Sequence, residues 1–262
     1  MRQAILGMAL VSMMASGGTW AAMVTKTVEY AVDGKKMASV LVYDDAGAKR
    51  PGIVMAPNWM GVNDGQVEKA KRIAGKDYVI LIADVYGADL RPKNPEEAGK
   101  ASKSMYSDRS VLRKRINAAL ATLKNNAEKA PLDGTHFGAI GFCFGGATVL
   151  DLARSGADVA AVVSFHGNLA TDDATMAKNI KAKVLAMNGA DDTYVPAEQI
   201  AAFEKEMRDG GADWQFVNFG GAVHCFAEAD AKGEVPGCLY NERAANRSYA
   251  LMRQHFSEAF AK

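Results

Sequence analysis

The sequence predicts an α/β fold, with a mostly parallel central sheet flanked by helices. Three observations carry this expectation. Apolar runs without alternation recur at 52–56, 78–83, 137–140, 159–165 and 184–187, and strands buried on both faces require such runs. Helical segments such as 108–124 and 196–208 lie between them. Strand–helix–strand order favours a parallel sheet. No repeat, low-complexity tract or linker interrupts the pattern, so residues 23–262 read as one domain.

Taken in order, the amino terminus comes first and does not read as fold. Arg2 precedes an apolar stretch from Ala4 to Ala15, then the small residues Ser16-Gly17-Gly18 and Thr19-Trp20-Ala21-Ala22. A positive start, a short hydrophobic stretch and a small-residue cleavage site describe a secretory signal peptide. Residues 1–22 are therefore expected to be a leader, cut after Ala21 or Ala22. The stretch is too short for a membrane anchor. The mature chain is expected in a secreted or periplasmic location, with no membrane attachment.

Next, 24–30 and 37–43 are rich in β-formers, and Asp33-Gly34 between them signals a hairpin turn. The buried runs follow, and 214–219 reads as the last strand. The charge balance is +1, which excludes a strongly basic nucleic-acid binder. There are 3 Cys and 4 His without a Cys-x-x-Cys spacing, so a zinc ribbon or iron–sulfur centre is excluded. No cofactor and no metal is expected. The partner is expected to be a small molecule, with the chain a monomer or a homodimer.

In open α/β sheets, sites form beyond the carboxyl ends of the strands. Run 137–140 leads into Gly141-Phe142-Cys143-Phe144-Gly145-Gly146 and then a helical segment. Small residues two before and two after a nucleophile permit a sharp strand-to-helix turn. Cys143 then stands at a helix amino terminus, where negative charge is favoured. Otherwise it would be a small buried hydrophobe. Run 184–187 leads into Asn188-Gly189-Ala190-Asp191-Asp192. Either Asp is a candidate orienting acid, and Asp192 is preferred. The last strand leads through Gly220-Gly221 to His224, the candidate base. His136 is read as preceding its strand, at the wrong end of the sheet. His255 falls in a terminal helix. His166 follows a strand and is kept as a supporting residue.

The order nucleophile, acid, His is that of α/β-hydrolases. The whole mature chain resembles the dienelactone hydrolase family of that superfamily. The likeness rests on Gly141–Gly146, Asp192-Thr193-Tyr194-Val195-Pro196, Ala222-Val223-His224-Cys225-Phe226, Asp84-Val85-Tyr86 and Asn58-Trp59-Met60-Gly61-Val62. The resemblance implies the α/β-hydrolase fold and a catalytic triad of Cys143, His224 and Asp192. It implies an oxyanion hole from the backbone N–H groups of Phe144 and Trp59. Three departures accompany it. Asn58 stands where the family carries a Glu beside the nucleophile. Ala88 and Glu228 stand where the family holds a substrate carboxylate with Arg. The chain also reads as exported.

Cys225 and Cys238 remain. In an oxidising compartment two spare cysteines favour a disulfide. The alternatives are two free thiols or a pairing that involves Cys143. The expected function is hydrolysis of an ester or lactone through a thiol-acyl intermediate. The rivals are a binding or scavenging protein with weak catalysis, and a redox-active thiol.

Overall fold

The computed structural model describes residues 22–126 and 129–261. The leader read from the first 22 residues falls almost wholly outside the described residues. The chain begins with the expected hairpin, β1 (Met23–Val32) and β2 (Lys35–Asp44), paired antiparallel from Met23↔Asp44 to Val32↔Lys35. Asp33 and Gly34 both adopt positive φ, +49° and +77°. A two-residue turn of that hand matches the twist of its strands, and Asp-Gly tolerates it.

The remaining strands are β3 (Arg50–Ala56), β4 (Val79–Ile82), β5 (Leu132–Phe142), β6 (Ala161–Phe165), β7 (Lys183–Gly189) and β8 (Trp214–Phe219). They join the hairpin in one sheet of order β1-β2-β4-β3-β5-β6-β7-β8. β2 meets β4 antiparallel, and every pair from β4 to β8 is parallel. The helices are α1 (Asp64–Ala74), α2 (Pro95–Ser107), α3 (Arg109–Lys124), α4 (Phe144–Arg154), α5 (Ala197–Gly210) and α6 (Glu242–Phe260). Helices α2 to α5 cover one face, where Leu112, Leu120, Val149 and Phe203 share one hydrophobic core with Val54 and Ala139. On the other face α1 and α6 bring Ile73, Met252 and Phe256 onto Ile53, Met55 and Ile140. Each central strand thus buries both of its faces, which accounts for the unalternated apolar runs.

One expectation is corrected. His136 lies inside β5 rather than before it. Arg50 pairs with Leu132 and Gly52 with Phe137, so β5 carries an irregular insert beside β3. Asp133 in that insert accepts from the His136 ring at 2.8 Å. A polar detour of this kind has no apolar signature, so the run alone placed the start of β5 too late. His136 remains at the amino end of the strand, far from Cys143.

Helix α4 is fixed from below by a buried charge cluster. Arg154 is fully buried. Its guanidinium donates twice to Glu206 of α5, at 2.7 and 2.9 Å, and once to Asp151 at 3.2 Å. It also donates to the Leu169 carbonyl at 2.9 Å. Arg109 of α3 donates to the other Asp151 oxygen at 2.9 Å. Removing one partner of such a cluster leaves uncompensated buried charge. Arg154→Met should therefore cost about 3–5 kcal/mol of stability, read from urea unfolding at neutral pH.

Candidate active site

β5 ends at Phe142 and α4 begins at Phe144, so one residue makes the whole turn. That residue is Cys143, at φ +54° and ψ −118°. A non-glycine residue at positive φ is uncommon and must be held there by its surroundings. The Cys143 N–H donates to the Phe165 carbonyl at 3.0 Å and to His166 Nδ1 at 3.2 Å. The flanking glycines allow the backbone to close. A Cβ on Gly141 would meet the Gly145 carbonyl oxygen at 2.0 Å. A Cβ on Gly145 would meet the Ala56 and Pro57 carbonyl oxygens at 2.1 and 2.5 Å. The glycine spacing visible in the sequence thus has a steric cause on both sides of the turn.

The other two expected members converge on Cys143. His224 Nε2 lies 3.1 Å from Cys143 Sγ, and His224 Nδ1 lies 2.8 Å from Asp192 Oδ2. The second Asp192 oxygen accepts from the Tyr194 N–H at 2.8 Å. Asp192 is buried, whereas Asp191 faces solvent. The loops after β7 and β8 meet because Gly189 has no side chain. A Cβ there would strike the Ala222 carbonyl oxygen at 2.4 Å. Burial alone would hold the His224 imidazole neutral. The hydrogen bonds and charges of Asp192 and Cys143 outweigh it and push its pKa up to about 10.

His166 touches both partners. It is fully buried at φ +39°. Its ring packs edge-on against His224, with centroids 5.1 Å apart. Burial, reinforced by the charges of His224 and Lys69, holds its pKa well below 6.5. It is therefore neutral, and with Nδ1 accepting from Cys143 its proton is assigned to Nε2.

Disulfide Cys225–Cys238 is present, with Cα atoms 4.9 Å apart, and Cys143 is free. The bridge follows His224 directly. Leu239 N–H also donates to the His224 carbonyl at 3.0 Å. The segment carrying the base is thus tied at two adjacent positions.

The loop after β3 supplies Asn58 and Trp59. Tyr86 OH donates to the Trp59 carbonyl at 2.9 Å. Asn58 Oδ1 accepts from Met60 N–H at 3.1 Å, and Asn58 Nδ2 donates to Glu228 Oε2 at 3.4 Å. Its amide is engaged within the loop. Glu228 pairs with Lys69 of α1, and both are buried. Lys69 Nζ sits 4.3 Å from the centroid of the ring of Phe142, the residue before Cys143. Sequence reasoning missed Lys69. It lies in a helix with several charged residues, and its inward place is marked only by the spacing of Gln66, Lys69 and Ile73 on one face. Ala88 plays no part in the cleft wall; its N–H donates to the Lys36 carbonyl at 2.9 Å.

Cys143 opens into a cavity of about 280 Å³ walled by Trp59, Tyr106, Phe144, Tyr194 and Val235, with His224 at one side. Burial pushes the Tyr106 phenol up, so it is uncharged. The arrangement can do nucleophilic chemistry: a thiol, a base within reach of it, and an acid that orients the base.

Asn58→Glu places a second carboxylate against Glu228 and removes a donor. It should cost about 1–3 kcal/mol of stability, with the loss shrinking as pH falls and the repulsion is relieved; urea unfolding at two pH values reads both. The raised His224 pKa stabilises the fold fully below the ordinary value of 6.5, and that contribution disappears as pH rises through about 10. The stability difference between wild type and His224→Gln should therefore narrow over that interval.

The crystal structure of P91, a dienelactone hydrolase-like promiscuous phosphotriesterase from metagenomic libraries, aligns with a TM-score of 0.85 and 37% identity. The alignment covers 92% of this chain and 100% of P91. An uncharacterized Caenorhabditis elegans protein is 35% identical over 162 residues, 60% of this chain and all of its own length. A probable 2-oxo-3-(5-oxofuran-2-ylidene)propanoate lactonase of Bradyrhizobium sp is 26% identical over 239 residues, 87% of this chain and 93% of its own length. The sheet and its helices have the α/β-hydrolase fold. The sequence profile of the dienelactone hydrolase family matches residues 37–260, and the chain belongs to that family.

Proposed function

We propose that this hydrolase cleaves a carboxylic ester or lactone through Cys143, His224 and Asp192. The observation that carries the reading is the continuous chain Sγ–Nε2 at 3.1 Å and Nδ1–Oδ2 at 2.8 Å at a strand–turn–helix. With the proton on His224, the Cys143 sulfur attacks the carbonyl carbon as thiolate. The C–S bond forms, and the carbonyl π pair moves to oxygen. Backbone N–H groups of Phe144 and Trp59 receive that oxyanion, each worth about 3 kcal/mol of transition-state stabilisation. The close approach of Gly145 to the Ala56 and Pro57 carbonyls supports this role, because it brings the elbow and the Trp59 loop to one space. The tetrahedral species collapses, the C–O bond breaks, and His224 protonates the departing alkoxide. His224 then takes a proton from water, which attacks the thioester. The C–S bond breaks and Cys143 is restored. Asp192 fixes the ring orientation and balances the imidazolium charge throughout. His166 and Asn58 serve as positioning residues, for the turn and for the Trp59 loop.

Two statements extend this reading. The chain is exported, with the leader of residues 1–22 removed; the Cys225–Cys238 bridge supports it, because disulfides persist in oxidising compartments. The mature chain forms a single catalytic domain, a reading supported by the one sheet shared by all eight strands. A redox thiol is less well supported, since the other two cysteines are bonded to each other.

Cys143→Ala should lower turnover of small esters by about 10³-fold or more while the protein still unfolds in one cooperative thermal transition. Intact-mass spectrometry with a slowly released ester should show one acyl adduct on wild type and none on the variant. Full activity in Cys143→Ala would overturn the assignment.

A further inference from the structure

Cys143 faces a second opening. An outer groove of about 260 Å³ shares Cys143, Trp59, Val235 and the disulfide with the aromatic cavity. The two spaces differ in chemistry. The aromatic cavity carries His224 and otherwise uncharged side chains among the described residues. The groove lacks His224 from its wall and carries Glu228, Asp230, Glu234 and Lys93.

Position relative to His224 decides which half of an ester goes where. The leaving oxygen must take its proton from His224 Nε2, so the alcohol half belongs in the cavity that His224 lines. The acyl half then extends the other way, along the groove. Charge in the groove therefore acts on the acyl group.

Glu228 is the distinctive residue of that wall. It is 3% exposed, and Oε2 receives both Lys69 and Asn58. Its Oε1 is buried with no hydrogen-bond partner among the described residues. An ionised carboxylate oxygen left in this state gains from a positive or donating group and repels a negative one. Asp230 and Glu234 are exposed on the same rim. Lys69 neutralises Glu228 and Lys93 offsets one of the rim acids, which leaves one net negative charge. A partly enclosed groove with a net negative charge favours cationic over anionic substrates through its field.

Resting on the ester-hydrolase reading of Cys143, we propose that the groove selects the acyl group by charge: acyl chains ending in a cation are preferred, neutral ones are accepted, and those ending in a carboxylate are rejected. Glu228, Asp230 and Glu234 are then specificity residues. The preferred substrates are esters with an apolar, preferably aromatic, alcohol half and an acyl half that carries an ammonium or a hydrogen-bond donor.

The test uses the mature protein and three p-nitrophenyl esters on the same six-carbon acyl chain: the hexanoate, the 6-(trimethylammonio)hexanoate and the adipate monoester, whose carboxylate is too far along the chain for rapid attack on its own ester. Each kcat/KM is divided by the rate of imidazole-catalysed hydrolysis of the same ester, which removes intrinsic reactivity. The expected order is cationic, neutral, anionic. The cationic-to-anionic ratio should be about tenfold or more at low ionic strength and shrink at high salt, where such fields are screened. Asp230→Asn combined with Glu234→Gln should lower that ratio about threefold, as two exposed charges are removed. An adipate monoester rate equal to or above that of the hexanoate, with turnover dependent on Cys143, overturns the charge proposal and leaves the hydrolase reading standing. Absence of Cys143-dependent turnover with all three esters overturns both.

Discussion

Cys143 holds a left-handed backbone because β5 and α4 are joined by a single residue. A strained residue persists only where its surroundings over-determine it. Here the surroundings are two glycines pressed against carbonyl oxygens, two acceptors on the Cys143 N–H, and the sheet on either side. Each of these also does something for the site. The Gly145 contact draws the Trp59 loop to the turn. The His166 acceptor sits against His224. The same packing that forces the turn therefore sets the distances among the reacting groups.

Two clusters of buried charge lie beside the elements that build the site. Arg154, Asp151 and Glu206 lie behind α4, and Lys69 and Glu228 lie behind the Asn58 loop. Buried ion pairs are poor sources of net stability, because desolvation consumes most of their attraction. They do impose geometry, since a misplaced partner is expensive. The Arg154 fork fixes where α4 ends relative to α5. The Lys69–Glu228 pair fixes the amide of Asn58 and, through Met60 N–H, the loop that carries Trp59.

Much of this was legible from the sequence because the features are local. The two-sided burial of β3, β4, β6 and β7 writes itself as apolar runs. The turn at Cys143 writes itself as Gly141 and Gly145. His224 and Asp192 are marked by loops that follow strands. What was illegible is what depends on distant partners. Lys69 looks like any helix lysine until Glu228, far along the chain, is placed beside it. The insert that moves His136 inside β5 is polar and carries no periodic signal. The engagement of Asn58 by Met60 and Glu228 is likewise a product of packing, and the residue type alone leaves its role open.

The Cys225–Cys238 bridge adds an order of events to the life of the chain. Three thiols permit three pairings, and two of them consume Cys143. Cys225 and Cys238 line the same cavity as Cys143, so proximity by itself does not discriminate. Discrimination comes from the folded sheet, which sets Cys143 against His224 and leaves the other two facing each other. Oxidation after the sheet forms thus leaves Cys143 free, whereas oxidation of an unfolded chain also samples the two pairings that block it. The crosslink then closes a short loop, which is worth about 3 kcal/mol against unfolding, and that gain falls on the segment that carries the base. Maturation of this protein is accordingly a matter of timing between folding and oxidant, and a catalyst of disulfide exchange has a mispaired state here to rescue.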